Sequence, residues 1–309
     1  MAQRSNHVLG LDFGGTKLAA GVLDYESGTM ACAAWTETRA ALGAATAVDD
    51  MLELIAALGH AGDWQRVGVS FGGHVYDNQI LKSLHVEGWR NYPLERRLQH
   101  ALKVNSVRIF NDANAAAFGE WRFGAGRGVD SLLYVTVSTG IGGGVILNSQ
   151  LWDGAAGMAG EIGHMQVVDG GPICSCGRQG CLEALAAGPA IARRAALSGV
   201  QLAASAGAQQ TLSARQVAQQ ADSGDQVAQQ VLVECARYLG IGLANAANLL
   251  DVQLVIVGGG VSQAGALWWR TLQETFQSRI LDRHRPIALM PTELGDYAAV
   301  YGAAALAAG

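Results

Sequence analysis

Five prolines in 309 residues leave no room for Pro-rich linkers or a collagen-like repeat. Positive charge is also in short supply. Twenty-one lysines and arginines stand against 26 aspartates and glutamates, a formal net charge of −5, so there is no broad basic surface of the kind that binds nucleic acid. No apolar run reaches the ~18 residues needed to span a bilayer, so no membrane partner is expected. The opening MAQRSNHVLGLDFGG lacks the long apolar core and small-residue cleavage site of a secretion signal, and a cytoplasmic location is expected. Glycine is the residue in excess, with 41 copies against a usual share of about 7%. With so little proline beside it, glycine must serve backbone geometry at particular turns. Half the residues are hydrophobic, and the length suits two lobes at roughly 150 residues per domain.

The apolar runs and glycines set out an α/β order. Residues 8–13 and 18–23 read as two strands joined by a tight turn at Gly14-Gly15, with a third strand over 30–34. Val48, Leu52, Ile55 and Leu58 have helical spacing, which predicts a helix over 46–58. Strands are expected at 67–71 and 107–110, the second ending at Asn111-Asp112 before a helix over 113–123. A strand over 132–137, the run Ser138-Thr139-Gly140 and a returning strand over 144–147 repeat the strand–glycine turn–strand pattern of the N-terminus. A long helix over 226–250, a buried strand over 254–257, the triplet Gly258-Gly259-Gly260 and an alanine-rich helix over 298–308 complete the order. The stretch 198–225 reads as short helices with a turn, and Ser213 with Gln216 three residues on is a helix-start signal.

Cys174, Cys176 and Cys181 fall within eight residues, in the run CSCGRQGC. In a reducing compartment such a cluster points to a metal and not to disulfides. Three thiolates leave a tetrahedral zinc one ligand short, and His164 lies ten residues upstream. Glycines 177 and 180 let the loop curl. All four positions would be filled by protein, so the zinc is expected to be structural, with none left open for water. Cys32 and Cys235 read as small core residues.

With these residues in hand, the sequence resembles the ROK family (repressors, open reading frames and sugar kinases) over nearly its whole length. The resemblance rests on LDFGGTK at 11–17, NDANAAAFGE at 111–120, STGIGGG at 138–144, AGEIGH at 159–164, CSCGRQGCLE at 174–183 and IVGGG at 256–260. It implies a two-lobed actin/hexokinase-like (ribonuclease H-like) ATPase fold with a cleft between the lobes. The smaller lobe is expected over 1–112 plus 298–309, the larger over 113–297. Family repressors carry a winged helix ahead of the first phosphate hairpin; here that hairpin begins at Asp12, so the kinase branch is expected. Homodimers or homotetramers are usual for such proteins.

The implied activity is an ATP-dependent hexose kinase acting on the 6-hydroxyl of glucose or a close relative, with Mg²⁺ and a structural Zn²⁺. An N-acetylglucosamine or N-acetylmannosamine kinase is the alternative enzyme, and a non-catalytic sugar-binding regulator the alternative from another class. By resemblance Asp112 is the base that accepts the hydroxyl proton; an aspartate before an alanine-rich helix also fits an N-cap. Asp12, Gly14, Gly15, Thr16 and Lys17 correspond to the first phosphate hairpin, with Asp12 near Mg²⁺ through water. Thr139 and Gly140 correspond to the second phosphate turn. Gly258, Gly259 and Gly260 correspond to the adenosine contact, although alone they read equally as a tight turn. Sugar contacts are implied at Gly73, Asn111, Asp112, Glu161, His164 and Glu183, while Glu183 also fits an exposed helix residue. His164 would use one ring nitrogen for zinc and the other for a hydroxyl. The chain departs from the family pattern twice: Gly72-Gly73-His74 stands for Pro-Gly-Pro, and His85-Val86-Glu87-Gly88-Trp89 for Asn-x-Pro-Gly-Trp. His85 alters a candidate sugar contact, so the resemblance leaves the hexose open. Trp89 reads as an anchor and not a stacking platform.

Overall fold

The structure, a computed structural model, describes residues 6–59, 64–83, 86–200, 212–282 and 286–309; His85 lies outside the described residues. The chain divides into two compact units. The first holds Met1–Asp130, Gly144–Gly160 and Thr292–Gly309, and the second holds Ser131–Gly143 and Glu161–Pro291. This division groups residues 113–130, 144–160 and 292–297 with the first unit, whereas the lobe limits expected from the sequence lie at 112/113 and 297/298.

In the first unit, β1 (His7–Phe13), β2 (Lys17–Asp24) and β3 (Thr29–Glu37) form an antiparallel meander. Helix α1 (Gly43–Ala57) leads to β4 (Arg66–Phe71), a small hairpin of β5 (Gly73–Tyr76) and β6 (Gln79–Ser83), α2 (Leu94–Leu102) and β7 (Ser106–Asn111). The main sheet has the order β3-β2-β1-β4-β7, with β4 parallel to both β1 and β7. Helix α3 (Asp112–Phe123) starts at the residue after β7 ends. The inner strands are apolar at almost every position because both sheet faces are covered. On one face α1 buries Ala44, Ala47, Val48, Met51 and Ile55.

The second sheet has β8 (Leu132–Val137), β9 (Ile141–Leu147) and β10 (Gln150–Leu151). The division between the units falls within β9, after Gly143. Helices α4 (Leu182–Ala186), α5 (Gly188–Leu197), α6 (Ala214–Asp222) and α7 (Gln226–Leu250) follow. Then come β11 (Leu254–Gly258), α8 (Ala266–Gln277) and β12 (Ala288–Pro291), with β8, β11 and β12 parallel and in that order. The Ser213–Gln216 pair forms a full capping box at the start of α6. No helix among the described residues is long and apolar enough to cross a membrane.

The chain ends in the first unit with α9 (Ala298–Ala308). Gly21 of β2, Gly10 of β1 and Gly68 of β4 share one register row across the sheet. A Cβ at Gly10 or Gly68 would strike the backbone carbonyl of Val300 or Ala303. Two missing side chains, at Gly10 and Gly68, thus let an alanine-rich helix lie on the sheet at backbone distance, which explains why so bland a helix is a fixed part of this unit.

Candidate functional site

The first glycine turn closes with Gly14 N–H donating to the Lys17 carbonyl at 3.0 Å. Thr38, just past β3, clamps it: its amide donates to the Thr16 carbonyl at 3.0 Å, and its hydroxyl donates to the Gly14 carbonyl at 2.9 Å. Asp12 sits on β1 opposite Ser70 of β4, and the fully buried Ser70 hydroxyl donates to Asp12 Oδ1 at 2.6 Å. Burial pushes the Asp12 carboxyl up to about 6, against the opposing pull of the Ser70 hydrogen bond and the Lys17 charge. Thr16 is exposed at the turn. Lys17 is engaged elsewhere: its Nζ lies 3.0 Å from Asp296 Oδ2 and over the rings of Trp35 and Tyr297.

Asp112 is the first residue of α3, and Asn111 is its N-cap. Asn111 Oδ1 accepts from the Ala113 and Asn114 amides at 3.0 and 3.1 Å. The amide group of Asn111 donates to the Gly73 carbonyl and to Asp112 Oδ1, both at 3.1 Å. The capping role considered for Asp112 therefore belongs to its neighbour, which also fixes one oxygen of the acid. The other oxygen, Oδ2, lies 3.7 Å from the place a Cβ would take on Gly72, and that place is 3.8 Å from Gly14 Cα. A side chain at 72 would thus stand in contact with both the acid and the first turn, and glycine leaves that place unfilled. Trp89 is buried, 2% exposed, with its ring edge-on to Phe13 and Phe71 at 5.5 and 5.0 Å. It packs against the last residues of β1 and β4 and offers no face to a sugar.

At the far end of α3, Glu120 is fully buried. Its carboxylate accepts from the amides of Ala125, Glu293 and Leu294 at 2.9, 3.2 and 2.8 Å, and from the Thr292 hydroxyl. This acid holds the strap over 292–297 that brings Asp296 and Tyr297 to Lys17. Ser70, Thr38, Glu120 and Asp296 were not read from the sequence. Glu120 stood in a recognised motif, but three of its four partners lie over 170 positions away.

In the second unit the Ser138 amide donates to the Gly140 carbonyl at 2.9 Å, closing the second glycine turn, and Thr139 is exposed at its tip. Glu183 Oε2 accepts from Ile141 N–H at 3.1 Å, and its Oε1 accepts from the Ser175 hydroxyl at 3.0 Å. Glu183 is thus a partnered acid, not an idle helix residue. The three glycines after β11 differ from one another. Gly258 packs on the Tyr134 ring and Gly259, at φ +83°, on the Val137 backbone, while nothing within 4 Å would meet a Cβ at Gly260. Only Gly260 leaves open space.

The ligand atoms of His164, Cys174, Cys176 and Cys181 all lie within 4.8 Å of one another. Cys174 Sγ is 3.6 Å from His164 Nδ1, and the sulfurs of Cys176 and Cys181 are 3.7 Å apart. A tetrahedral ion with Zn–S bonds near 2.3 Å would set its ligands about 3.8 Å apart, so the four fit structural zinc. Glycines 177 and 180 take φ of +85° and +72° in the curl between the sulfurs. As a free thiol Cys181 is pushed up to about 12 by burial, whereas the Arg178 backbone N–H holds Cys176 below its usual value. His164 Nε2 points away from the sulfurs, 3.7 Å from Glu161 Oε2.

The sequence-predicted residues therefore form two sets. Asp12, Gly14, Gly15, Thr16, Lys17, Gly73, Asn111 and Asp112 belong to the first unit; Thr139, Gly140, Glu161, His164, Glu183 and the three glycines belong to the second. The ROK family model matches residues 8–309. The chain belongs to the ROK family. Its fold is the α/β fold of the actin/hexokinase-like class. Among ROK proteins it is 34% identical over 312 residues to a glucokinase from Streptomyces coelicolor, covering 97% of this chain and 96% of that protein. A ROK glucokinase from Streptomyces griseus, solved in complex with glucose and AMPPNP, superposes with a TM-score of 0.85 at 36% identity, covering 97% and 99% of the two chains. An N-acetylmannosamine kinase from Escherichia coli is also 34% identical, over 259 residues and 83% and 84% of the chains. All six motifs behind the resemblance begin and end inside the matched residues.

Proposed function

We propose that this ROK protein is an ATP-dependent sugar kinase that moves the γ-phosphoryl group to the 6-hydroxyl of glucose or a close relative. The observation that carries the reading is that Gly72 adds no side chain in the place that touches both Asp112 and the first glycine turn. Phosphoryl transfer asks a protein mainly to position the reactants and offset charge, with an acid set to take the hydroxyl proton. Asp112 is the proposed base. Asn111 orients it by donating to Oδ1 while its own carbonyl oxygen is locked onto the helix start.

Gly14, Gly15 and Thr16 are proposed to meet phosphate oxygens at the first turn, and Thr139 with Gly140 at the second. Gly260 is proposed as the adenosine contact, with Gly258 and Gly259 holding it in place. Mg²⁺, when bound, neutralises phosphate charge, and Asp12 is the acid suited to hold it through water. Gly73, Asn111, Glu161, His164 and Glu183 are the proposed sugar contacts, His164 through Nε2 because Nδ1 faces the thiolates. Zinc, when bound, would fix that ring and the curl of the cysteine loop.

The kinship to an N-acetylmannosamine kinase at the same 34% identity favours one further reading, an N-acetylhexosamine acceptor. Sugar-dependent ADP formation with Mg·ATP tests both, over glucose, mannose, fructose, allose, N-acetylglucosamine and N-acetylmannosamine. Turnover on glucose or mannose is expected. Turnover only on an acetamido sugar would transfer the reading to the alternative, and no turnover from folded, zinc-loaded protein would sink the kinase reading.

A further inference from the structure

We infer that the cysteine–histidine cluster governs nucleotide affinity, by holding the Ser138–Ile141 turn through the two chain segments that supply its ligands. This rests on the reading of that turn as a phosphate site. The proposal stands on three contacts inside the second unit. Glu183, two residues past Cys181, accepts the Ile141 amide at 3.1 Å, and its Oε2 would stand 2.7 Å from a Cβ on Gly140. Gly188, at the start of α5, donates its amide to the Ser138 carbonyl at 2.8 Å. Gly163, beside His164, lies so close to the Ile141 carbonyl that a Cβ there would strike it.

One residue, Ile141, is thus held on both sides. Its N–H is held by the segment that carries Cys181, and its C=O rests against the segment that carries His164. The two segments are joined to each other by Leu182 N–H donating to the Met165 carbonyl at 2.9 Å, and by the shared metal ligands. His164 on one segment and Cys174, Cys176 and Cys181 on the other would hold one ion between them, which would tie the two segments together. Charge adds a second reason. A carboxylate this near a phosphate turn would repel polyphosphate if it swung outward. Ser175, lying between two of the cysteine ligands, donates to Glu183 Oε1 at 3.0 Å and keeps that acid turned onto Ile141. Loosening the cysteine loop frees both the turn and the acid, and both changes oppose nucleotide binding.

The test compares the full-length zinc-loaded protein with Ser175→Ala, which keeps every metal ligand, and Cys176→Ala, which removes the exposed one. Metal content, calorimetric affinity for Mg·AMPPNP, affinity for the sugar that supports turnover, and hydrogen exchange at the Ile141 amide are measured on each. In Cys176→Ala, zinc is lost and Mg·AMPPNP affinity falls about tenfold, and sugar affinity falls as well because His164 and Glu183 are proposed sugar contacts. In Ser175→Ala, zinc is kept, nucleotide affinity falls about threefold and the Ile141 amide exchanges faster. Nucleotide affinity unchanged in Ser175→Ala overturns the proposal, as does an Ile141 amide that exchanges no faster. Should Cys176→Ala fail to fold, Ser175→Ala decides alone. A parent protein that binds no nucleotide would overturn the kinase reading and this proposal with it, whereas a binding parent with indifferent variants overturns this proposal only.

Discussion

The two glycine hairpins look alike in sequence and are built on opposite plans. The first carries its own acid. Asp12 stands on the strand entering the turn, held by a buried hydroxyl from the adjacent strand, and Thr38 pins the turn from the loop that follows the meander. The second carries no acid, and its carboxylate comes from Glu183 on a separate helix behind the cysteine loop. In the first unit a short-range sheet suffices to shape the turn. In the second, the shape depends on segments 162–164 and 174–188, which have little regular structure before α4 and need a cross-link. The turn that is self-supporting is the one beside the proposed base; the turn that is externally supported is the one a metal can tune.

The largest expected effect tests which hairpin belongs to the chemistry. Asp112→Asn keeps the hydrogen bonds around Asn111 and removes the proton acceptor. Sugar-dependent ADP formation should drop about 10²- to 10⁴-fold while zinc content and the unfolding midpoint stay at parental values. Undiminished turnover would take the reacting acid away from the first unit altogether.

Glu120→Ala probes how far the first hairpin is held from outside after all. It strips the acceptor from three backbone amides and the Thr292 hydroxyl in a fully buried place. Leaving such donors unpaired should cost ~3 kcal/mol, read as a lowered urea midpoint. Glu120→Gln keeps one acceptor oxygen and should cost about half as much. A midpoint unmoved by Glu120→Ala would mean that the strap over 292–297 does not depend on this acid.

Asp12 offers a sharper test, because an acid buried inside a hairpin carries a cost. Its carboxyl is raised from 3.8 to about 6, so the folded state holds its proton to higher pH than the unfolded chain does. Stability is therefore lost as pH rises from about 4 to about 6, and the deficit is constant above that. At pH 7, without metal or nucleotide, Asp12→Asn should unfold later than the parent, by at most ~3 kcal/mol from a shift of roughly two units. At pH 4 the two should coincide. The variant should also lose turnover. Equal stability at both pH values would show that the carboxylate is solvated in place.

Much of this frame was legible in the sequence, and the reasons are specific. The limits of β8, α7 and α9 match those read from apolar runs, and the Ser213–Gln216 box begins α6 as its spacing announced. The cysteine cluster was legible because four metal ligands must be close in space and here are close in sequence. The β5–β6 hairpin was missed although Asp77 and Asn78, both at positive φ, are residues that suit a two-residue turn. Helix α2 was missed because it buries only Leu94 and Leu98, too narrow a stripe to stand out among its charges. Glu120 and Asp296, and the contact that Glu183 makes with Ile141, were beyond reach in another way. What each acid does depends on which amide or cation the fold brings to it, and no local pattern encodes that.

The smallest effect decides where Lys17 belongs. The family motif places it with the phosphate contacts, yet in the structure it pairs with Asp296 between two aromatic rings. Asp296 is well exposed, so the pair itself is worth no more than ~1 kcal/mol. A double-mutant cycle of Lys17→Met and Asp296→Asn separates the roles. If Lys17 serves the strap, each single variant should raise the KM for ATP by the same small factor, about twofold to fivefold, and the double variant should be no worse than either. If Lys17 binds phosphate, Lys17→Met should raise that KM far more than Asp296→Asn, which releases the lysine and should leave the KM unchanged or lower. The strap reading makes the first hairpin a turn braced on both sides, by Thr38 and by the C-terminal segment. The phosphate reading makes Asp296 a stand-in for the nucleotide, displaced when it binds, and the ratio of the two KM values distinguishes them.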